Sequence, residues 1–283
     1  MLRELELLLL ILTLIVFTAF LVIIVLYYYY SRKRSNNYLS KKEFELRYFI
    51  QKQVDREGQL TGYECLLRQR QPDGSWALPQ QLETLPLQRV IYLLESIFKL
   101  LPTEPIQLSI NLEYDQIISP EFDYFVRWAI SKIEPMQLAI ELSIHPDTRY
   151  PNRNLFLRHI RQTKTYGMRF EVANVGNAKD NLNSIEWMVP MIDALKCAMR
   201  DFRKTDPAMW FDLNLQFWRR FTQEQNINLV LTGIESDDDA ELAEHLNIDL
   251  RQGYLFGHPV DPIHSAQEKA ATRRTATPKH AVD

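Results

Sequence analysis

Residues 7–30 read LLLLILTLIVFTAFLVIIVLYYYY, 24 consecutive residues without a charge. At ~1.5 Å per residue, a helix of that length exceeds the ~30 Å hydrocarbon core of a bilayer. The segment therefore predicts a transmembrane helix whose end is marked by the tyrosines at 27–30. A cleaved signal peptide is the competing reading. Against it, the preceding flank (Arg3, Glu4, Glu6) is not net positive, no small-x-small cleavage site follows, and the run is longer than the ~7–15 residues of a signal core. The expectation is a retained span.

Arg32, Lys33, Arg34, Lys41 and Lys42 follow the span, with no acid in 31–42. Basic residues beside a span hold that side in the cytoplasm. The predicted order is a short extracytoplasmic N-terminus (1–6), the span (7–30), a basic juxtamembrane linker (31–42) and a cytoplasmic remainder. Charge divides along the same lines. Residues 1–30 carry −1, 31–42 carry +5 and 264–283 carry +2, so a whole-chain charge of −3 leaves −9 on the body 43–263. Nucleic-acid binding draws most of its affinity from Lys and Arg, so an acidic body excludes nucleic acid as the main partner. The basic stretch suits anionic lipid. Two cysteines, Cys65 and Cys197, are too few for a disulfide framework and suit a reducing compartment.

With 46% hydrophobic and 24% charged residues, the chain has enough apolar content for a folded body. No Gly/Ser/Pro-rich linker splits 43–263, which predicts one large domain. Short apolar runs at 44–53, 62–68, 106–112, 138–144, 168–175, 191–196, 228–233 and 253–256 read as strands. Amphipathic stretches at 86–101, 120–133, 152–166, 178–187, 208–224 and 237–246 read as helices. This alternation predicts an α/β fold, a TIM-like (β/α) barrel, preceded by the single N-terminal transmembrane helix. The polar tail 264–283 is expected to be disordered.

Barrel chemistry belongs at the C-terminal ends of strands, and each apolar run delivers a polar residue there. These are Glu64 in GYECLLR, Asn111 in QLSINLE, Glu141 in LAIELSI, Asn174 in FEVANVG, Lys196 in DALKCA, Thr232 in LVLTGIE and Gln252 in LRQGYLF. A lone polar residue in such a run is usually a satisfied core residue. Seven at matching positions predict one lined pocket, since each would cost a few kcal/mol if buried without partners.

The succession YECLLR, SINL, IELS, ANVG, LK, TGIE and QGYLF resembles the EAL domain, the barrel phosphodiesterase of the bacterial second messenger cyclic di-GMP, over roughly 43–262. The resemblance implies two divalent cations, Mg or Mn, that activate water against a phosphodiester. It assigns Glu64, Asn111 and Glu141 as remnants of the metal shell, and Glu64, Lys196 and Glu235 as remnants of the catalytic set. Arg68, Lys196, Glu235 and Gln252 become the ligand-binding residues if a ligand is retained. Together with the span and the basic residues after it, the bacterial family predicts a bacterial inner-membrane location, single-pass, with the C-terminal domain cytoplasmic.

Departures from the family pattern fall on the chemistry. The paired aspartates of D-D-F-G are Ala173 and Asn174, the first Glu of E-G-V-E is Thr232, the second Glu of E-x-T-E is Ile144, and the Asp two residues after the lysine is Ala198. The loop NAKDNLNS after Gly176 departs as well. No catalytic set is intact, and hard cations need oxygen-rich anionic shells. The expectation is no cofactor, or at most one weakly bound divalent cation (Mg, Mn or Ca).

Other features have plainer readings. Cys65, where the signature has alanine, and Cys197 lie on apolar strands and are expected to pack as inert core. The six histidines lack metal-ligand spacing. Asp237, Asp238 and Asp239 suit the N-terminus of the helix that follows rather than a calcium loop. Trp210, Phe211, Phe217 and Trp218 suit a helix face packed on the barrel. Three function classes stay open: a catalytically inactive, membrane-anchored regulator in cyclic di-GMP-related signalling that acts through another inner-membrane or cytoplasmic protein, a non-hydrolysing cyclic di-GMP receptor, and a weak phosphodiesterase.

Overall fold

The alternation of apolar runs and amphipathic stretches becomes a closed barrel in a computed structural model that describes residues 2–39, 45–79, 84–145, 148–176, 180–202 and 213–265. The chain divides into two units, Met1–Glu45 and Leu46–Asp283.

The first unit holds one helix, α1 (Leu2–Leu39). Within its stretch Arg3–Tyr27 an 18-residue window has a mean hydropathy of 3.3, and the stretch is long and apolar enough to cross a membrane. Apolar side chains are exposed all around it, as expected of a helix without a core of its own to face. The two threonines, Thr13 and Thr18, turn their hydroxyls back to the carbonyls of Leu9 and Leu14, so neither hydroxyl is left without a partner. Residues 31–39 of the expected linker continue the helix, and 40–44 lie outside the described residues.

The second unit opens with an antiparallel hairpin, β1 (Leu46–Val54) and β2 (Leu60–Arg70), and a short edge strand β3 (Trp76–Ala77). There follow α2 (Leu87–Phe98), β4 (Gln107–Asn111), α3 (Tyr114–Ile117), α4 (Phe122–Ile133), β5 (Gln137–Ser143), α5 (Arg153–Lys164), β6 (Arg169–Ala173), α6 (Asp180–Ile185), β7 (Ala194–Ala198), α7 (Leu213–Gln225), β8 (Asn228–Thr232), α8 (Asp237–His245) and β9 (Leu250–Gln252). The order β1-β9-β8-β7-β6-β5-β4-β2 closes through the β1–β2 pairing, so eight strands make the barrel. All are parallel neighbours except β1, which runs antiparallel to both β2 and β9.

Burial follows the sequence pattern. The interior of β5 is buried on both faces, which is why it reads as a continuous apolar run. Helix α2 buries Leu87, Val90, Leu94 and Ile97 at helical spacing and presents its opposite side to water. On α7, Trp218 is in the core while Phe217 is exposed, so only part of the expected aromatic face packs on the barrel, and Trp210 and Phe211 lie outside the described residues.

Three expectations shift. The last strand is Leu250–Gln252, and 253–256 turn away from it, because the backbone of Gly253 passes against Ile234: a Cβ there would lie 1.9 Å from the Ile234 carbonyl oxygen. The strand expected at 191–196 is Ala194–Ala198, since Glu186–Met191 wind as a 3-10 helix around Pro190. Residues 262–265 form a helical turn, so the expected tail has some structure at its start, and 266–283 lie outside the described residues. Past β9 the chain returns to β1, where Ile50 and Val260 exchange both backbone hydrogen bonds at 2.9 Å.

Candidate functional site

At the C-terminal ends of the parallel strands lies a cavity of about 750 Å³. All seven strand-end residues, Glu64, Asn111, Glu141, Asn174, Lys196, Thr232 and Gln252, line it, together with Arg68 and Glu235. The site residues expected from sequence therefore share one concave surface, the usual position of function on this architecture.

Strand register builds the floor. Asn111 on β4 stands beside Glu141 on β5, which stands beside Glu171 on β6. Two neighbouring carboxylates pointing into a barrel would repel each other, so a cation is needed between them. Lys196, from β7, supplies it. Its Nζ lies 2.5 Å from Glu141 Oε2, 3.1 Å from Glu171 Oε2 and 3.3 Å from Glu64 Oε2. Lys196 is 2% exposed.

Side chains around this group complete its hydrogen bonding. Glu171 also accepts from Gln107 Nε2 at 2.8 Å and Ser109 Oγ at 3.0 Å. Glu64 accepts from Asn111 Nδ2 and Gln252 Nε2, both at 2.9 Å. Gln252 Nε2 also donates to Gln51 Oε1, and its own Oε1 accepts from Gln53 Nε2, each at 3.1 Å. Gln252 is thus committed on both ends of its amide.

Charge is distributed unevenly within the cluster. Burial and the repulsion of Glu64 push the Glu141 carboxyl up to about 8, with the Lys196 ammonium opposing the rise. Burial acts on Glu64 in the same direction, but the attraction of Lys196 and the hydrogen bonds from Asn111 and Gln252 outweigh it and hold that carboxyl below its ordinary value. For Lys196 the desolvation of burial is overcome by Glu141, Glu171 and Glu64, and its ammonium is held well above the usual lysine range. Of the two carboxyls, Glu141 therefore holds its proton to higher pH than Glu64 does.

The mouth is built from different materials. Strand β6 ends at Ala173, and Asn174 then takes a left-handed backbone with φ 61, a conformation that asparagine tolerates better than most residues. Thr232 Oγ1 donates to the Cys197 carbonyl at 3.3 Å. Arg68 is half-buried, and burial lowers its guanidinium from the ordinary arginine value. Glu235 is set by the cap of α8: the carboxylate of Asp239 accepts the backbone N–H groups of Glu235 at 2.9 Å and Ser236 at 3.2 Å, while Ser236 Oγ accepts from Asp239 N at 3.3 Å. The acidic run 237–239 is therefore a capped helix start, as its sequence predicts.

Sequence reasoning missed Glu171, its partners Gln107 and Ser109, the β1 glutamines and Arg200, which lines the cavity. Strand alternation could have found Glu171, which shares a face with Ala173 inside the apolar run FEVA. Cys65 and Cys197 are buried, and burial pushes both thiols far up, which leaves them as packing residues.

A pair of divalent cations does not fit these residues. Ala173, Asn174, Ala198 and Thr232 offer no carboxylate at the mouth, and the carboxylates of the floor already surround an ammonium. Among the described residues, no group of three or more His, Cys, Asp or Glu is arranged to hold a metal ion.

The sequence matches the EAL domain family over residues 32–259. The chain belongs to this family. Its EAL barrel is similar to solved EAL structures at identities that speak to fold alone. The EAL enzyme Bd1971, in its cAMP and cyclic-di-GMP bound form, aligns with a TM-score of 0.65 at 20% identity, covering 86% of this chain and 69% of that one. The PaMucR phosphodiesterase, in a c-di-GMP complex, aligns at 0.63 and 19% identity, over 78% of this chain and 99% of that one. The YkuI protein of Bacillus subtilis, with an EAL domain in complex with substrate c-di-GMP and calcium, aligns at 0.62 and 15%, over 81% and 63%. No curated protein matches the chain.

Proposed function

We propose that this protein is a membrane-anchored EAL regulator that does not hydrolyse cyclic di-GMP and works by binding another protein at the bacterial inner membrane, its barrel on the cytoplasmic side. One observation carries the reading: at the end of β6 the wall of the cavity is Ala173 and Asn174, where a metal-dependent hydrolase of this family needs carboxylates. The cost falls on the chemical step. Without two cations, neither the attacking water nor the charge growing on the phosphoryl oxygens has a partner. The apolar helix Arg3–Tyr27 supports anchoring, and the basic run after it supports a cytoplasmic barrel.

A second reading, the non-hydrolysing cyclic di-GMP receptor, is favoured by the cavity itself. Its volume of about 750 Å³ and the guanidinium groups of Arg68 and Arg200 along its wall suit a ligand with two phosphates. Glu64, Glu113, Glu141 and Glu235 line the same cavity and oppose such a ligand, which keeps the protein-binding reading ahead. The remnants Glu64, Asn111 and Glu141 support at most a single, weakly held divalent cation.

The test is a titration of cyclic di-GMP into the detergent-solubilised full chain with and without Mg, Mn or Ca, alongside an assay for hydrolysis. Linear dinucleotide product would overturn both readings and establish a weak phosphodiesterase. Binding without product selects the receptor. Neither binding nor product leaves the protein-binding regulator.

A further inference from the structure

An ammonium has three N–H donors, and the Lys196 ammonium faces three different carboxylates at 2.5, 3.1 and 3.3 Å. It donates hydrogen bonds to Glu141 and Glu64 and pairs by charge with Glu171, so it is turned toward carboxylates on three sides. All four side chains are nearly inaccessible, with exposures of 7% for Glu64, 4% for Glu141, 1% for Glu171 and 2% for Lys196. Glu171 is itself fixed from behind by Gln107 and Ser109, so it cannot follow the ammonium if the ammonium moves toward the mouth.

We propose that Lys196 is the resident cation of this barrel: its ammonium fills the place among Glu64, Glu141 and Glu171 that a divalent ion would have to take, and Glu171 is the positioning residue that keeps it there. A divalent cation needs ionised oxygens gathered on one point. Here the oxygens are gathered on a nitrogen that is already positive, and any metal entering the floor must first expel the lysine. The barrel thereby gains a floor whose carboxylates already face a resident cation, which deepens the reading of a regulator freed from metal-dependent chemistry and rests on it. Lys196 then has no part in binding phosphates, and a ligand at the mouth would rely on Arg68 and Arg200.

The experiment uses the detergent-solubilised full chain and Mn²⁺ alone as probe, with binding read by calorimetry and thermal unfolding read with and without the ion. Wild type is expected to bind Mn²⁺ weakly and to melt at the same temperature with or without it. Lys196→Met is expected to bind at least tenfold more tightly and to be stabilised by the ion. Lys196→Met combined with Glu171→Gln removes one carboxylate together with the ammonium, so it folds with less unbalanced charge, and it is expected to bind more tightly than wild type though less tightly than Lys196→Met. Glu171→Gln alone is expected to raise affinity a few-fold, because the ammonium is no longer held from below. Mn²⁺ affinity in the double variant within threefold of wild type would overturn the proposal, and wild-type affinity in Glu171→Gln would remove Glu171 from it. Hydrolysis of cyclic di-GMP by wild type sinks the functional reading whatever Mn²⁺ does, so the two failures are separable.

Discussion

At the floor of the cavity, Lys196 is 2% exposed and meets three carboxylates within 3.3 Å. At the mouth, Arg68 is half-buried and the Arg200 side chain is 76% exposed, with the Asp201 carboxylate 3.9 Å away. The same kinds of charge therefore do different work at the two ends. Floor charges are desolvated and interlocked, so each is held in place by the others and its removal is costly. Mouth charges keep contact with water, which screens them and leaves them able to exchange solvent for a ligand or a partner. In this EAL barrel the floor carboxylates surround a lysine, while β6 ends at the mouth in Ala173 and Asn174.

The largest effect expected from this contrast is on stability. Lys196→Met leaves Glu64, Glu141 and Glu171 without their cation, and removal of one partner from a buried ion cluster costs about 3–5 kcal/mol. Chemical denaturation of the full chain, followed through the barrel transition, measures it. A loss below about 1 kcal/mol, the range of a solvent-exposed pair, would erase the distinction between floor and mouth.

The pH dependence comes next. In the folded barrel Glu141 keeps its proton up to about 8, whereas its ordinary value is 4.5. Between those values the folded state binds one more proton than the unfolded chain, so Glu141 makes stability fall as pH rises, by at most ~1.4 kcal/mol per pH unit. Its contribution is complete below about 4.5 and gone above about 8. Glu64 has the opposite sign: its lowered carboxyl adds stability above its unfolded value, and that addition is lost as pH falls through its folded value. Urea midpoints from pH 5 to 9 are expected to decline in wild type and to flatten in Glu141→Gln. A parallel decline in both would show that the slope arises elsewhere.

The division between floor and mouth also marks what could be read from the sequence. Glu64, Asn111, Glu141, Lys196 and Gln252 were legible because each interrupts an apolar run near its end, and a strand-helix alternation turns such ends into one surface. Glu171 was hidden by sitting one inward-facing step below the strand end, where a glutamate flanked by Phe170 and Val172 reads as part of a buried strand. Its meaning depends on Lys196, 25 positions away in sequence and 3.1 Å away in space, and spacing along the chain carries no trace of that distance. The place of the last strand was misread for a similar reason. GYLF has the aromatic and apolar composition of a strand, but the approach of Gly253 to Ile234 turns the chain there.

A smaller effect sharpens the mouth. Ser236 caps α8 and, through Asp239, holds the backbone of Glu235. Ser236→Ala is expected to cost about 1 kcal/mol, the usual value of an N-cap, while leaving the floor and its pH dependence unchanged. A change in the pH slope of this variant would mean that the two ends are coupled and not independent.

The smallest expected change in stability belongs to Arg68→Ala, and it separates the two functional readings. Arg68 donates from Nη1 to the Leu67 carbonyl at 3.0 Å, and no ion pair fixes it among the described residues. Removing a partly solvated cation of this kind changes stability by about 0.5 kcal/mol or less. If the cavity is a receptor site, however, Arg68 is one of two mouth guanidiniums left to meet phosphate once Lys196 is committed to the floor, and a lost charge-assisted contact of this type weakens binding by about tenfold or more. A titration of cyclic di-GMP into wild type and Arg68→Ala therefore reads the mouth without disturbing the floor. Weakened binding at unchanged stability favours the receptor, and binding that survives intact would place any ligand away from Arg68. If wild type shows no binding, the receptor reading falls, and the same variant becomes a test of whether the mouth takes part in the proposed protein contact.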